Sequence, residues 1–443
     1  MKDLVHDWVQ RGWAAPWRAR FGSLPRADDP GNSGRRRNHH RGEARPTDFF
    51  GLLASTDRTG EDVYTGVGGM HFLPRKILES SRAVVHRGTR VSDITRRTVS
   101  GENGHETFVW DLTTTVGTAA FHDTREPEAV SELKRVRNGS ETPGNPNGDR
   151  RTPAPGADTE TQTRIVVHRG FDAVVFTDIS SSFGSWHRAS AGLPPSFAAK
   201  LPPKLRVPLF SCMIALKPTA DQAPLRDRLP FDAFVVNEAE RKSPLWFAAR
   251  SGSKPGFPEA GADTTAPATE CWTLVSTPSF AVDEIRATTM RDPVTGAFRA
   301  QENGYLNSGP GPALREAFFG VIGPYLEEHG EPLPSTVYLQ AQRWGSGLPI
   351  DPRAVAPEHT EEICGTTYAS GVPGSSLDRT LPSPPSSSST TTSPGQNFVA
   401  DDSMGLYYGG DFCSHLNPGF EAAALSGLDL AQHILAQTKS PSE

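Results

Sequence analysis

Residues 405–412 read GLYYGGDF, and after a short connection residues 417–427 read NPGFEAAALSG. The first run predicts a short buried strand that two glycines and an acid bring to an end. The second run predicts the start of a helix that continues to Leu435. Asn417 is a suitable N-cap, Pro418 suits the first helical position, and apolar residues recur at helical spacing. Small side chains in the first two turns leave room for another group to approach the backbone.

A strand, a Gly-Gly-Asp turn and a helix start together suit a dinucleotide ligand. The helix start presents unpaired N–H groups and a partial positive charge to a phosphate. A carboxylate at the strand end accepts hydrogen bonds from polyol hydroxyl groups. The alternative is an ordinary strand-turn-helix that closes a domain, and the Gly-Gly-Asp step alone does not exclude it.

The tyrosine pair, the Asn-Pro-Gly-Phe-Glu turn and the Ser426-Gly427 step together resemble the C-terminal flavin-contacting motif of FAD-dependent amine oxidases. The closest resemblance is to the renalase-like branch. It implies that FAD is the cofactor, that Asp411 holds the ribityl chain, and that the helix start faces the pyrophosphate and the pyrimidine edge of the flavin. Ala422 is a departure, because relatives often have glycine there. The cofactor-binding residues that the resemblance implies are Val91, which lies near the adenine in the corresponding strand of relatives, Gly409, Gly410, Asp411, Gly419, Phe420, Glu421, Ala422 and Ser426.

A second segment, QAQRWGSGLP at residues 340–349, is similar to the strand that passes under the isoalloxazine ring in this family. The resemblance implies that Trp344 lies near the ring, and we take it as the catalytic candidate. A tryptophan with a purely structural or surface role is the alternative.

The N-terminal region departs from the family. A flavoprotein of this type opens with a strand, a Gly-x-Gly-x-x-Gly turn and a helix, and an acid follows about 20 residues later. The cluster Gly66-Val67-Gly68-Gly69 follows no suitable strand and lacks the third glycine at its spacing. The chain is either truncated or a natural descendant that lost the first βαβ unit. We favour truncation, because a sheet without its central strand leaves backbone groups unpaired.

The composition of the chain argues against a nucleic-acid-binding, disulfide-rich, metal-binding or membrane-spanning protein. With 443 residues the chain is long enough for two domains, and its net charge of −6 gives no electrostatic case for nucleic acid. The four cysteines form no Cys-x-x-Cys pair, and His39-His40 have no partners at metal-site spacing, so no disulfide framework or metal is predicted. No apolar run reaches about 18 residues, so no membrane span is expected. With no signal-peptide pattern, a cytoplasmic location is the expectation.

The predicted fold class is α/β, with an incomplete Rossmann-like FAD-binding domain and an α+β substrate domain built on an antiparallel sheet. The N-terminal helix and polar insertion, residues 1–58, are expected to pack with the substrate domain. Residues 59–178 form the first part of the FAD-binding domain, with a disordered insertion at about 127–162. Residues 179–398 form the substrate domain, with a low-complexity insertion at 373–397. Residues 399–443 form the second part of the FAD-binding domain.

The predicted activity follows from the resemblance. It implies an oxidoreductase that takes a hydride from a small-molecule amine or an NAD(P)H-type, dihydronicotinamide-like donor and passes electrons to oxygen. A truncated, non-catalytic scaffold that no longer holds FAD is the alternative. A hydrolase built on Ser181, His187 and Asp178 is disfavoured, because the sequence contains no Gly-x-Ser-x-Gly elbow.

Overall fold

The computed structural model has an α+β architecture with mostly antiparallel strands. It describes residues 2–17, 20–23, 64–100, 106–117, 163–178, 193–202, 204–218, 224–236, 243–257, 269–289, 304–328, 330, 332–350, 396–414 and 418–439. None of the helices in these ranges combines the length and the apolar character needed to cross a bilayer.

The elements are numbered in chain order. The helices are α1 (Lys2–Gln10), α2 (Phe72–Ser80), α3 (Pro195–Ala198), α4 (Leu225–Arg228), α5 (Pro278–Ala287), α6 (Tyr305–Ser308), α7 (Pro310–Glu327) and α8 (Phe420–Lys439). The strands are β1 (Ala14–Pro16), β2 (Phe21–Ser23), β3 (Tyr64–Gly66), β4 (Thr89–Ser100), β5 (Glu106–Gly117), β6 (Thr163–Phe171), β7 (Val174–Phe176), β8 (Leu205–Lys217), β9 (Ala233–Val235), β10 (Leu245–Arg250), β11 (Glu270–Ser276), β12 (Ser335–Ile350), β13 (Phe398–Asp401) and β14 (Leu406–Gly409).

The largest sheet has six strands in the order β12-β8-β11-β10-β9-β2, and only the β9–β2 pair is parallel. From Phe210 to Leu216, every second side chain of β8 packs into the core on one face of the sheet, as a strand with one covered face should. Ile214 and Leu216 are fully buried in a core with Phe318 and Ile322 of α7, whereas Met213 on the opposite face is 51% exposed. The prediction of an antiparallel sheet in this region is confirmed.

A second sheet, in the order β13-β14-β7, lies between α8 and a third sheet, in the order β4-β5-β6. Successive residues of β14 point to opposite sides of the sheet, because strand side chains alternate. Tyr407 packs with Leu430 of α8, and Tyr408 packs with Trp110 of β5. The doubly wound fold has helices on both faces of a parallel sheet. Here one face is covered by a helix and the other by an antiparallel sheet.

The N-terminal segment contacts both α8 and the six-stranded sheet. Trp8 of α1 packs edge-on against Phe420 at the start of α8, with the ring centroids 5.7 Å apart. Further along, β2 pairs with β9, and Arg20 bonds Asp232 beside that strand. The segment therefore links the start of α8 to the six-stranded sheet.

Two sequence predictions need correction at their boundaries. The last helix begins at Phe420, two residues after Pro418, while Asn417 lies outside the described residues. Asn397, placed in a low-complexity insertion, is buried. Residues 127–162 also lie outside the described part of the chain.

Candidate functional site

The Gly-Gly-Asp loop follows the carboxyl end of β14. This strand is paired on both edges, in parallel with β7 and antiparallel with β13. After a short 3-10 turn at Asp411–Cys413, the chain enters α8 at Phe420. A strand end and the start of a 20-residue helix therefore meet at this loop, as the sequence predicts.

The two glycines of the loop allow close packing within the protein. A Cβ atom on Gly409 would lie 3.2 Å from Leu430 Cδ2 and 3.3 Å from Ser426 Oγ, so α8 lies close to the strand here. Gly410 has φ +157°, and its Cβ would lie 2.5 Å from the ring of Phe412. A residue with a side chain at either position would have to move a neighbour.

Ser426 supports the loop from the second turn of α8. Its side chain is fully buried, and its Oγ accepts a hydrogen bond from the Gly410 N–H at 2.9 Å and donates one to the Asn397 carbonyl at 2.7 Å. Because the hydroxyl is engaged on both sides by the protein, Ser426 acts on the site by holding Gly410.

Replacing Ser426 by alanine tests this support. We expect Ser426→Ala to lower the free energy of unfolding by about 1–3 kcal/mol, because the Gly410 N–H and the Asn397 carbonyl lose a buried partner. Urea denaturation measures the change. Ser80→Ala removes an exposed hydroxyl that donates a hydrogen bond to the Ile77 carbonyl; this variant is the control and should stay within about 0.5 kcal/mol of the parent protein. An equal effect of the two substitutions would contradict the assignment.

Asp411 is a half-buried carboxylate. Burial raises its pKa, and this effect is partly offset by the backbone N–H groups of Phe412 and Gly419 and by the charge of Lys204. Because the Gly419 N–H points at the carboxylate, Asp411 joins the end of β14 to the residue just before α8.

Lys204 is a neighbour of the site that the sequence analysis missed. It precedes β8, and its charge lowers the pKa of both the Asp411 carboxyl and the Cys413 thiol, although burial raises each of them overall. The run Leu201-Pro202-Pro203-Lys204 carries no motif that could have indicated this role. The loop therefore has a cation beside its acid.

The four predicted residues at the start of α8 differ in exposure. Among the residues that the structure describes, no atom lies within 4 Å of a Cβ placed on Gly419, so open space adjoins the backbone on that side. Glu421 is exposed, whereas Ala422 is fully buried, so its small side chain serves packing within the protein. Phe420 packs against Trp8. Gly419 is thus the position of this group that is open to an approaching ligand.

The two remaining predicted residues lie on other sheets. Val91 is on β4 opposite Thr114 and is 37% exposed. Trp344 is on β12, is 51% exposed and donates a hydrogen bond from Nε1 to Ser211 Oγ at 2.8 Å. The structure therefore brings together the residues of the Gly-Gly-Asp loop and the start of α8, and it holds Trp344 on the face of the six-stranded sheet opposite α7.

Within the described ranges no three His, Cys, Asp or Glu side chains form a group suited to a metal ion. Of the disfavoured hydrolase set, Ser181 and His187 lie outside the described residues. The third member, Asp178, accepts a hydrogen bond at its backbone carbonyl from the Tyr408 hydroxyl at 3.0 Å.

No protein-family model matches the chain, and a search of curated proteins finds no match either.

Proposed function

We propose that the protein is an FAD-dependent oxidoreductase of the amine oxidase type, similar to the renalase-like branch, with an incomplete Rossmann-like FAD-binding domain. One observation carries the proposal: the Gly-Gly-Asp loop lies at the carboxyl end of β14, which runs parallel to β7, and leads to the start of α8. In α/β sheets, ligands bind outside the carboxyl ends of the strands, and helix starts favour phosphate.

The residues of the loop fit the flavin half of the cofactor. Open space adjoins Gly419, and the half-buried Asp411 carboxylate lies beside it, bonded to the same residue's N–H group. Asp411 would hold hydroxyl groups of the ribityl chain, and the N–H groups at the start of α8 would hold the pyrophosphate. Ser426 would keep Gly410 in position for both. Four further residues remain predicted to contact FAD or to support the residues that do: Val91, Phe420, Glu421 and Ala422.

General flavin chemistry determines which part of the reaction the cofactor would carry out and which part the protein residues would carry out. A bound flavin accepts the hydride of an amine or dihydronicotinamide-type donor and returns electrons to oxygen. The residues of the chain would bind the flavin and orient the donor beside it. Trp344, held by its hydrogen bond to Ser211, would form an aromatic wall on the substrate side, and Asp411 would fix the cofactor. The small-molecule donor would lie over the face of the six-stranded sheet opposite α7.

Absorption spectroscopy tests the proposal. The purified chain should show oxidised-flavin bands near about 375 and about 450 nm. Asp411→Ala should weaken FAD binding by about tenfold or more, because a buried hydrogen bond to a charged group contributes about 1.5–3 kcal/mol. Asp283→Asn removes a carboxylate on α5 that is 75% exposed and should leave the affinity for FAD unchanged. Flavin bands that survive Asp411→Ala with unaltered affinity would refute the assigned site.

The second candidate is a non-catalytic scaffold that no longer holds FAD. It is favoured by one observation: the edge of β14 opposite β7 is occupied by the antiparallel strand β13, where a doubly wound sheet would continue with a parallel strand. The sequence also lacks the dinucleotide fingerprint. A folded chain that shows no flavin bands after incubation with excess FAD and removal of the unbound FAD would support the scaffold and refute the oxidoreductase.

A further inference from the structure

One face of α8 carries three polar side chains that contact the β13–β14 hairpin. Ser426, Asp429 and His433 are spaced three and four residues apart and therefore lie on the same side of the helix. Ser426 bonds the Gly410 N–H and the Asn397 carbonyl, and Asp429 accepts a hydrogen bond from Asn397 Nδ2 at 2.6 Å. At the far end, His433 Nε2 lies 2.8 Å from Asp402 Oδ1. We call these contacts the α8 clamp.

The His433 end of the α8 clamp lies in a ring of aromatic and acidic groups. The imidazole packs against Phe398 and Tyr407, with ring centroids 5.0 and 6.1 Å away. The Tyr407 hydroxyl also donates a hydrogen bond to Asp402, at 3.2 Å. With its side chain 24% exposed, His433 is partly enclosed by the hairpin it contacts.

The charged groups around this end are predominantly acidic. Asp402 contacts the imidazole directly, Asp401 precedes it in the turn, and Asp429 lies one turn earlier on α8. Lys200 of the segment after α3 is paired with Asp401 at 2.6 Å. Burial, followed by the nearby Asp402, raises the pKa of Tyr407 to about 12, so its hydroxyl stays neutral around neutral pH. A protonated imidazole would therefore form an ion pair with Asp402.

We propose that His433 and Asp402 are positioning residues for the cofactor loop, and that protonation of the imidazole tightens the hold of α8 on the hairpin. The proposal rests on the proposed function, because the loop that is held contains Gly410 and Asp411. Ser426 and His433 are seven positions apart, which corresponds to about 10 Å along the helix. A contact at the hairpin turn is thus transmitted through a rigid helix to the residue that fixes Gly410.

The first measurement needs no flavin. Hydrogen exchange of the α8 amides, expressed relative to the intrinsic exchange rate, is compared at about pH 5.5 and about pH 8, the range in which histidine side chains usually change charge. We expect about two- to fivefold greater protection at the lower pH, the size typical of a partly exposed ion pair. The variants His433→Gln and Asp402→Asn should abolish the difference.

A charge-retaining variant and a matched control make the test specific. His433→Lys keeps a cation beside Asp402 at both pH values, so high protection should persist at about pH 8. Asp7→Asn removes an exposed ion pair of the same 2.8 Å length, between Asp7 on α1 and Arg11 just after it, and should leave the pH dependence of α8 intact. An unchanged pH dependence in both His433→Gln and Asp402→Asn, or none in the parent protein, would overturn the proposal.

The second measurement is the affinity for FAD at the same two pH values. We expect the dissociation constant to be about two- to fivefold lower at about pH 5.5, with the difference lost in Asp402→Asn. If α8 protection follows the prediction but FAD binds at neither pH, the proposed function fails and the α8 clamp stands. If FAD binds with the same pH dependence in His433→Gln and Asp402→Asn as in the parent, the α8 clamp fails and the proposed function stands.

Discussion

Asp232→Asn is expected to lower the free energy of unfolding by about 3–5 kcal/mol, because it breaks a buried ion pair and leaves a guanidinium without its counter-charge. Asp232 Oδ1 accepts hydrogen bonds from Arg250 at 2.5 and 3.2 Å, and the Asp232 and Arg250 side chains are only 7% and 11% exposed. The Arg20 guanidinium also donates hydrogen bonds to the Asp232 carboxylate. Because the Arg20 side chain is 48% exposed, we assign most of the loss in stability to the pair with Arg250.

The same substitution should remove an acid-dependent part of the stability. Burial opposes ionisation of Asp232, but the hydrogen bonds from Arg20 and Arg250 outweigh it and lower the pKa from 3.8 to about 2. Because the folded pKa is below the unfolded one, the contribution is complete above about pH 4 and is lost as the pH falls towards about 2. Asp232→Asn should flatten the stability profile over this window.

Urea denaturation at neutral pH and at two acidic pH values measures both effects. Asp227→Asn is the control, because Asp227 is 58% exposed and lies 3.6 Å from Arg226; it should change stability by less than about 1 kcal/mol. A loss below about 1 kcal/mol for Asp232→Asn would mean that the pair contributes no more than a surface ion pair.

Phe318→Ala is expected to cost about 3–5 kcal/mol, the usual range for removing a buried aromatic ring from a core. Phe318 is fully buried on α7, and its ring centroid lies 5.0 Å from that of Trp272 and 6.1 Å from that of Phe234. The cavity would open between α7 and the middle strands of the six-stranded sheet, where these rings support one another.

Gly320→Ala on the same helix is the matched control. A Cβ at Gly320 would meet no atom within 4 Å, so alanine should stabilise the helix by about 0.5–1 kcal/mol. Thermal or urea unfolding of both variants checks the pair. If both substitutions lowered the free energy of unfolding by a similar amount, α7 would be sensitive to substitution in general. The assignment of the Phe318 cluster as the centre of this core would then be contradicted.

Local patterns predicted the elements that hold the candidate site. GLYYGGDF predicts β14 because apolar residues are followed at once by two glycines and an acid, and the apolar spacing after Pro418 predicts α8. Both elements are present, and the antiparallel strands of the large sheet were also predicted from their composition. The boundaries moved by a few residues, since they depend on packing that local propensity does not describe.

The contacts that the sequence did not indicate join residues far apart in the chain. Arg20 and Asp232 are 212 residues apart, and no local pattern predicts their pairing. Asn397 follows a Pro/Ser/Thr-rich run, yet α8 buries it through Ser426 and Asp429. Composition predicts exposure for such a residue, whereas the fold decides its burial. Lys204 was missed for the same reason.

The contact between Trp8 and Phe420 has a consequence for biosynthesis. Because Phe420 comes far later in the sequence than Trp8, the first turn of α8 is synthesised long after its packing partner. Long-range contacts of this kind form late and slow folding. Until α8 has been synthesised, Trp8 and its apolar neighbours Leu73 and Ile77 lack the helix that packs against them in the folded protein, and exposed apolar surface of this kind is prone to aggregate.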